Sequence, residues 1–435
     1  MPRHLSSAAL VAGWLFLPAA ALAQSALPPA MDTVAARGLF REAASLTARD
    51  GGRLWGRSLQ GPLLLVDPAT RTVLAESPDL EGLLHPFGGF FTGTLPSTEN
   101  AANTGFTWGG RAWAMVVWPP TADSLERAVL LVHELWHRIQ DSLGLPGSTP
   151  ANPHLATRDG RLWLRLEGRA LRRALDLDGA ARTRALRDAL IFRRRRQSLF
   201  PGADSTERRL EMSEGLAEYS GVVVAAADSA TLHRLLAGRL AVLDTLSNLE
   251  RVFAYETGPA YGYFLDQLAA GWRGWLRGSD DLSRLLVWAV GGGVPVGEAA
   301  TRALAYRSVA MRHEESTREA HRKVRQSELR KRFVMGPVLE LPLSDMKLGF
   351  DPHQVESMDS LGIVYGNLRL TDKWGVLQCD ASGGLISFDW HRLIVPAPAD
   401  TAGRRLTGPG WVLELAPEWR IVAGSRRGDW AVVAQ

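Results

Sequence analysis

Cysteine is almost absent from this sequence, since Cys379 is the only one among 435 residues. A single thiol cannot form a disulfide within the chain, so a disulfide framework is excluded and the fold must be stabilised by core packing. Cys379 lies in the strand-like segment WGVLQCDASGG. This setting predicts a small buried residue and not a nucleophile.

Long apolar runs are also lacking, except near the N-terminus. Arg3 and His4 precede the apolar stretch 8–21, and ALAQS then places small residues at Ala21 and Ala23. This pattern is typical of a secretory signal peptide cleaved after Ala23, and the stretch is shorter than the ~20 residues of a membrane span. We therefore predict a secreted or periplasmic chain with no transmembrane span after cleavage. An uncleaved anchor is the alternative.

Dense charge of one sign is rare. The formal net charge is +4, and nearly all the positive charge is arginine. The one dense basic run, 193–196, follows LRDALIF with no interleaved aromatic residue. It predicts a solvated helix end and not a nucleic-acid-binding surface.

The order of apolar patterns indicates an α+β protein of two or three domains. Strand-and-turn patterns reach residue 120 and include a hairpin that turns at Asp67-Pro68. A buried helix over 121–143 follows, with Asp123 or Ser124 as N-cap and Gly144 as its end. Helical patterns then continue to 332, and short β runs fill the rest, which predicts a small antiparallel sandwich or barrel. The expected divisions are a signal peptide (1–23), a β-rich part (24–120), a helical region (121–332) and a C-terminal β domain (333–435).

The buried helix contains the pattern HELWH, that is, His133-Glu134-Leu135-Trp136-His137. Residues four apart lie on one face of a helix, so both imidazoles can bind one zinc ion and Glu134 can reach a water bound to it. Buried histidines beside a buried carboxylate are costly without a partner, which a cation provides. Core histidines satisfied by hydrogen bonds are the alternative.

A third zinc ligand is expected further along the chain, and two EGxA segments offer one. Glu214 is followed by Gly215, which permits close helix approach, and 3- and 4-residue spacing places Glu211, Glu214 and Glu218 on one helix face. Glu167 has arginines nearby that offer an ion-pair explanation. We favour Glu214 as the ligand and keep Glu167 as the alternative.

HELWH followed by SEGLAEYSG on a later helix resembles the gluzincin branch of zinc metallopeptidases, in its aminopeptidase-like members. The resemblance covers roughly residues 85–275, but Ser213 stands where those enzymes usually have asparagine. It implies a zincin-like core of an N-terminal sheet, an active-site helix and a helical lobe. It further implies Zn²⁺ on His133, His137 and Glu214, with Glu134 as general base and a peptide or protein substrate.

Other candidate residues surround this motif pair. Tyr255 and Tyr261 are candidates for stabilising the oxyanion of the reaction, with Tyr255 preferred because similar enzymes often use a tyrosine after the third ligand, and core tyrosines are the alternative. Glu218 is expected to orient a ligand histidine or to form a structural ion pair. His154 is a candidate substrate contact or else a surface histidine.

Two function classes follow from these residues. The first is an exported zinc metallopeptidase that hydrolyses peptide bonds. The second is a non-catalytic binding protein of the cell envelope, built on a zincin scaffold with a structural zinc. Glu134 argues for the first, because a purely structural site has no use for a base. A helical protein without metal is a third possibility, and the oligomeric state stays open.

Overall fold

A computed structural model describes residues 12–13, 31–145, 147–358 and 361–435. Ala12–Gly13 form the short strand β1, and the rest of the predicted signal peptide lies outside the described residues. The described residues divide into two compact units. The helical unit contains 31–95, 101–145 and 147–315, and the β unit contains 12–13, 96–100, 316–358 and 361–435.

A six-stranded sheet forms the first part of the helical unit. Its strands are β2 (Leu63–Val66), β3 (Thr72–Ala75), β4 (His85–Phe87), β5 (Phe90–Thr94), β6 (Thr104–Trp108) and β7 (Arg111–Val117). They lie in the order β4-β5-β3-β2-β7-β6, with β2 and β7 parallel and the other neighbours antiparallel. The predicted hairpin is confirmed, since Asp67 Oδ1 accepts the Ala69 N–H at 2.8 Å and closes the turn between β2 and β3.

The helices of this unit pack against one face of the sheet. Successive side chains of a strand face opposite sides, so Leu63 and Leu65 of β2 join the core with the helices, whereas Leu64 and Val66 join a smaller core on the other face. The helices are α1 (Thr33–Asp50), α2 (Ser124–Gln140), α3 (Arg158–Leu175), α4 (Gly179–Leu199), α5 (Ala203–Leu210), α6 (Leu216–Ala225), α7 (Ser229–Val242), α8 (Phe253–Leu268), α9 (Trp272–Trp275), α10 (Leu282–Ala289) and α11 (Ala299–Ala303). A further helix, α12 (Ser308–Arg330), contains the boundary between the units.

Helix α2 is the predicted buried helix. Asp123 caps its N-terminus by accepting the N–H groups of Leu125 and Glu126, at 2.8 and 3.0 Å. A 3₁₀ turn (Asp141–Leu143) follows the helix, and Gly144 ends that turn in the left-handed conformation at φ 71°. Asp123 as N-cap and Gly144 as the stop are confirmed, whereas the α-helix itself spans Ser124–Gln140 and is shorter than the predicted 121–143.

Two glycines let α6 and its neighbours approach closely. A Cβ atom at Gly221 of α6 would lie 2.6 Å from the Val129 carbonyl oxygen of α2. A single π turn, Glu211–Gly215, joins α5 to α6. A Cβ at Gly258 of α8 would lie 2.4 Å from the Gly215 Cα in this turn. The predicted role of Gly215 in close helix approach is therefore confirmed.

The β unit consists mainly of antiparallel strands, as predicted for the C-terminal region. Its strands after β1 are β8 (Val338–Pro342), β9 (Lys347–Phe350), β10 (Val355–Met358), β11 (Gly362–Tyr365), β12 (Arg369–Asp372), β13 (Gly375–Cys379), β14 (Gly384–Ile386), β15 (Arg392–Pro396), β16 (Arg405–Gly408), β17 (Trp411–Leu415), β18 (Trp419–Ala423) and β19 (Trp430–Ala434). They form a seven-stranded sheet, β10-β11-β14-β15-β8-β19-β18, and a six-stranded sheet, β1-β9-β12-β13-β17-β16. Among the strand pairs that the structure describes in these two sheets, β8–β19 and β1–β9 are parallel and the others antiparallel.

Two side-chain predictions have different outcomes. Cys379 is buried as predicted, and burial raises the pKa of its thiol to about 12. The prediction of a solvated basic run is wrong for Arg193 and Arg196, which are 1% and 0% exposed. Both lie against buried glutamates, because α4 packs this side against neighbouring helices.

Among the described residues, no helix is both long and apolar enough to cross a membrane.

Candidate metal centre

His133 and His137 lie one turn apart on the same face of α2. Their Nε2 atoms are 3.1 Å apart, and their ring centroids are separated by 4.8 Å. The neighbours Leu135 and Trp136 are 1% and 0% exposed, so the histidines belong to a buried part of the helix. The HExxH spacing predicts this pairing, because residues four apart share a helix face.

Glu214 reaches the two histidines from the π turn. Its Oε2 lies 3.4 Å from the Nε2 of His133 and 3.4 Å from the Nε2 of His137. The three side chains each offer one ligand atom, and these atoms all lie within 4.8 Å of one another. They could therefore hold a metal ion. Single π turns inside helices are frequent at functional sites.

The same π turn corrects the predicted face of Glu211. The turn holds one residue more than a turn of α-helix, so the 3- and 4-residue spacing no longer keeps the glutamates on one side. Glu214 and Glu218 contact His133. Glu211 instead accepts hydrogen bonds from Arg193 and from Thr257 Oγ1, at 2.8 and 2.9 Å. The prediction of one shared face is wrong for Glu211.

Glu167, the alternative ligand, lies elsewhere in the helical unit. Its Oε2 accepts from Arg196 NH1 at 2.6 Å, and its Oε1 accepts from Arg193 NH1 at 3.2 Å and from Tyr261 Oη at 2.7 Å. Two buried guanidinium groups neutralise this carboxylate. The structure thus brings Glu214, and not Glu167, to the histidines.

Glu218 orients His133 from the next turn of α6. Its Oε2 lies 2.9 Å from His133 Nδ1, and its Oε1 lies 2.7 Å from Arg239 NH2. Arg239 of α7 also donates to Glu126 Oε2 at 2.6 Å. Because a carboxylate only accepts, His133 Nδ1 carries a proton and its Nε2 faces the cluster. Sequence reasoning identified Glu218 and missed Arg239.

Gln140 orients His137, as Glu218 orients His133. Its Oε1 lies 2.8 Å from His137 Nδ1, and its Nε2 donates to Ser213 Oγ at 3.4 Å. The amide oxygen therefore accepts the Nδ1 proton and leaves Nε2 of His137 directed at the cluster. Sequence reasoning also missed Gln140, although its position three residues after His137 places it on the same helix face.

Neighbouring charges shift the pKa values of the three clustered groups. Burial alone would lower the pKa of His133, but hydrogen bonds to Glu214 and Glu218 outweigh burial and raise it to about 10. Burial also opposes the pKa shift of His137, where the charge of Glu214 prevails and raises the pKa. Burial would raise the pKa of Glu214, but His137 and His133 lower it. The cluster therefore favours positive charge, which a proton or a metal ion can supply.

Glu134 lies beside the cluster and is 4% exposed. Among the described residues, none donates a hydrogen bond to its Oε2. Burial raises the pKa of Glu134 to about 7, against the opposing charges of His133 and His137. A buried carboxylate oxygen without a donor is unfavourable for stability alone. A group with a pKa near neutrality is suited to exchanging protons.

Tyr255 is the predicted tyrosine that lies at the cluster. Its Oη donates to Glu214 Oε2 at 2.7 Å. Its ring stacks on His133, with centroids 5.6 Å apart and planes at 2°. Tyr255 therefore contacts two of the three clustered residues from α8.

Tyr261 and His154 lie away from the cluster, so the oxyanion role predicted for Tyr261 is wrong and its alternative, a core tyrosine, is confirmed. The substrate contact suggested for His154 stays a prediction. Tyr261 follows Tyr255 by six residues on α8, which turns it to another side of the helix, and its hydroxyl is bound to Glu167. His154 is 8% exposed, and its Nε2 lies 2.7 Å from Glu207 Oε1. It is therefore neither a surface histidine nor part of the cluster.

Comparisons with known proteins gave no match from which a role for this site could be inferred. No protein-family model matches the chain. The comparisons with curated proteins and with solved structures likewise gave no match.

Proposed function

We propose that this chain is an exported zinc-dependent metallopeptidase with a zincin-like core. In this proposal the sheet of the helical unit, helix α2 and the surrounding helices form the core, and His133, His137 and Glu214 hold the zinc ion. The observation that carries the proposal is the convergence of these three donors beside Glu134, a buried carboxylate with an unpaired oxygen.

The spacing of the donor atoms supports zinc. Ligands at the usual zinc distance of 2.0–2.1 Å and at tetrahedral angles are about 3.3 Å from one another. The three separations are 3.1 Å between the imidazole nitrogens of His133 and His137 and 3.4 Å from each of them to Glu214 Oε2. Three protein donors, with the remaining position open, are typical of catalytic zinc, whereas structural sites usually have four.

The orientation of the imidazoles supports the same reading. Each Nδ1 proton is directed outward, to Glu218 on His133 and to Gln140 on His137. When a metal ion replaces the protons that the cluster otherwise binds, both rings are neutral and would direct two nitrogen lone pairs and a carboxylate oxygen at one point. These donors repel one another unless a cation lies between them.

The proposed reaction is hydrolysis of a peptide bond. Bound zinc supplies Lewis acidity that activates a water molecule and polarises the scissile carbonyl. Glu134 accepts the proton of the attacking water on its unpaired oxygen and delivers it to the leaving amine. Tyr255, whose hydroxyl donates to Glu214 Oε2 in this structure, would release that bond to donate its phenolic proton to the oxyanion. Glu218 and Gln140 keep the imidazole rings in place.

The test combines metal analysis with peptide hydrolysis. Purified wild-type protein should contain close to one zinc ion per chain and hydrolyse members of a broad quenched-fluorescence peptide library. Glu134→Gln should retain zinc and lose hydrolysis, because the amide cannot accept the proton. Turnover in Glu134→Gln would exclude Glu134 as the base.

Ligand variants separate the remaining possibilities. His137→Ala and Glu214→Ala should lose zinc, whereas Glu167→Gln should keep it because Glu167 contacts arginines. Zinc loss from Glu167→Gln alone would reject the ligand assignment. Wild-type protein that binds zinc and cleaves no peptide would favour the non-catalytic binding protein, and protein that binds no zinc would reject both.

A further inference from the structure

A fully buried ion pair lies at the start of the π turn. Arg193 and Glu211 are each 1% exposed. Arg193 NH1 donates to Glu211 Oε1 at 2.8 Å, and its NH2 donates to Oε2, so the guanidinium binds the carboxylate through both oxygens. Thr257 Oγ1 adds a third donor to Oε1 at 2.9 Å. Glu211 is therefore held from α4 and from α8.

Burial of this pair is not explained by stability alone. Taking two charges out of water is costly, and apolar pairs of similar volume are often as stable or more stable. In some proteins, however, buried ion pairs restrict the chain to one arrangement, because a rearrangement would leave a buried charge unpaired.

The pair enforces the direction of the π turn that contains Glu214. Glu211 is the first residue of the turn and Gly215 the last. Arg193 holds Glu211, and Gly215 lies against Gly258 so closely that a Cβ at Gly258 would be 2.4 Å from its Cα. A turn held at both ends leaves the intervening Glu214 with one direction, which is toward the histidines.

A regular α-helical turn would break this arrangement. Residues three apart on an α-helix share a face, so Glu211 and Glu214 would point to the same side. Glu211 could not then bind Arg193 while Glu214 contacts His133 and His137. A π turn allows Glu211 to bind Arg193 while Glu214 contacts the two histidines.

We propose that Arg193 is a positioning residue for the metal centre: it binds Glu211, fixes the π turn and thereby directs Glu214 at the two histidines. This inference rests on the proposed zinc site. It gives Arg193, which lies outside the cluster, control over the direction of Glu214, the third ligand.

The experiment compares two buried glutamates in the same ionic network. Glu211→Gln places an amide NH₂ group against Arg193 inside the π turn. Glu207→Gln does the same against Arg196, which donates to both Glu207 oxygens at 2.6 and 2.9 Å, but Glu207 lies in α5 before the turn. Both side chains are 0–1% exposed, so both variants should lose comparable stability in urea unfolding.

Zinc affinity should separate the two variants. Glu211→Gln should bind zinc about 10–100-fold more weakly in chelator competition, the range seen when the support that orients a metal ligand is lost. Glu207→Gln should keep wild-type affinity. Cobalt(II) in Glu211→Gln should also give a visible absorption spectrum different from that of wild type, because a coordinating carboxylate is lost or displaced.

The outcomes distinguish this inference from the proposed function. Wild-type protein without zinc affinity would reject the zinc site itself. Wild-type affinity in Glu211→Gln, or an equal loss in both variants, would reject the positioning role while the zinc site stands. If both glutamine variants fail to fold, Thr257→Val decides, since it removes one donor to Glu211 and keeps the side-chain shape. It should weaken zinc binding measurably, and unchanged affinity would overturn the inference.

Discussion

The crossing of Gly258 with the π turn offers a sharp test of how the metal centre is held. Glu214 precedes Gly215 in the turn, and Tyr255, which donates to Glu214, precedes Gly258 by three residues. An alanine Cβ at Gly258 would lie 2.4 Å from the Gly215 Cα and 2.8 Å from the Gly215 carbonyl carbon and oxygen. All three obstructing atoms belong to the backbone, so no side-chain rotation can relieve the contact.

The size of the effect follows from this distance. Non-bonded carbon atoms pack at about 3.5–4.0 Å, so Gly258→Ala must separate the two backbones by roughly 1 Å. Overpacking of this kind costs about 1–3 kcal/mol of unfolding free energy. The separation also moves Glu214 away from the histidines, and we expect zinc binding at least about tenfold weaker.

Gly238→Ala is the matched control. Gly238 lies within α7, and a Cβ there would meet no atom within 4 Å. Alanine should therefore stabilise the chain by about 0.5–1 kcal/mol through helix propensity and leave zinc binding unchanged. Urea unfolding and chelator competition measure both variants. A Gly258→Ala protein as stable as wild type, with wild-type zinc affinity, would refute the close-contact argument.

Three further predictions concern residues around and away from the site. Arg239→Gln should weaken zinc binding about tenfold by releasing Glu218, and chelator competition that detects no change would contradict this. Burial raises the pKa of Glu256 to about 8, against the opposing charge of Arg239. In the folded chain Glu256 therefore keeps a proton that it loses near its ordinary pKa of 4.5 in the unfolded chain. The free energy of unfolding should fall as pH rises from about 5 to 8, by at most about 1.4 kcal/mol per pH unit. Glu256→Gln should make this decline shallower in urea unfolding, while Glu134, whose pKa burial raises to about 7, still contributes to it. Parallel pH curves for variant and wild type would disprove the contribution of Glu256. Cys379 should resist iodoacetamide in the native protein and react in urea, as followed by mass spectrometry, because its buried thiol has a pKa of about 12.

Much of the site could be predicted from the sequence because its spacing is local. His133 and His137 share a face of α2 through the repeat of the helix itself, and Asp123 and Gly144 mark the helix and the turn after it. The residues that support the histidines were less predictable. Arg239 contacts Glu218 from another helix, and no local sequence pattern predicts such a contact.

The choice between Glu214 and Glu167 shows the limit of sequence reasoning most clearly. Both follow the EGxA pattern, and both are buried. Packing decides between them, because two buried arginines, Arg193 and Arg196, bind Glu167 and leave Glu214 to the histidines. The same packing places Tyr261 with Glu167 and Tyr255 with Glu214.

By itself, the amino-acid sequence determined the α+β class, the N-cap of the histidine helix and the identity of its two histidines, since these depend on periodicity and capping over a few residues. Tertiary structure decided which distant carboxylate meets them and that the connecting turn is a π turn. It also decided that half of the basic run at 193–196 is buried. The physical reason is that a buried charged side chain must lie against a group of opposite charge. Groups that are distant in the chain meet only when the helices pack.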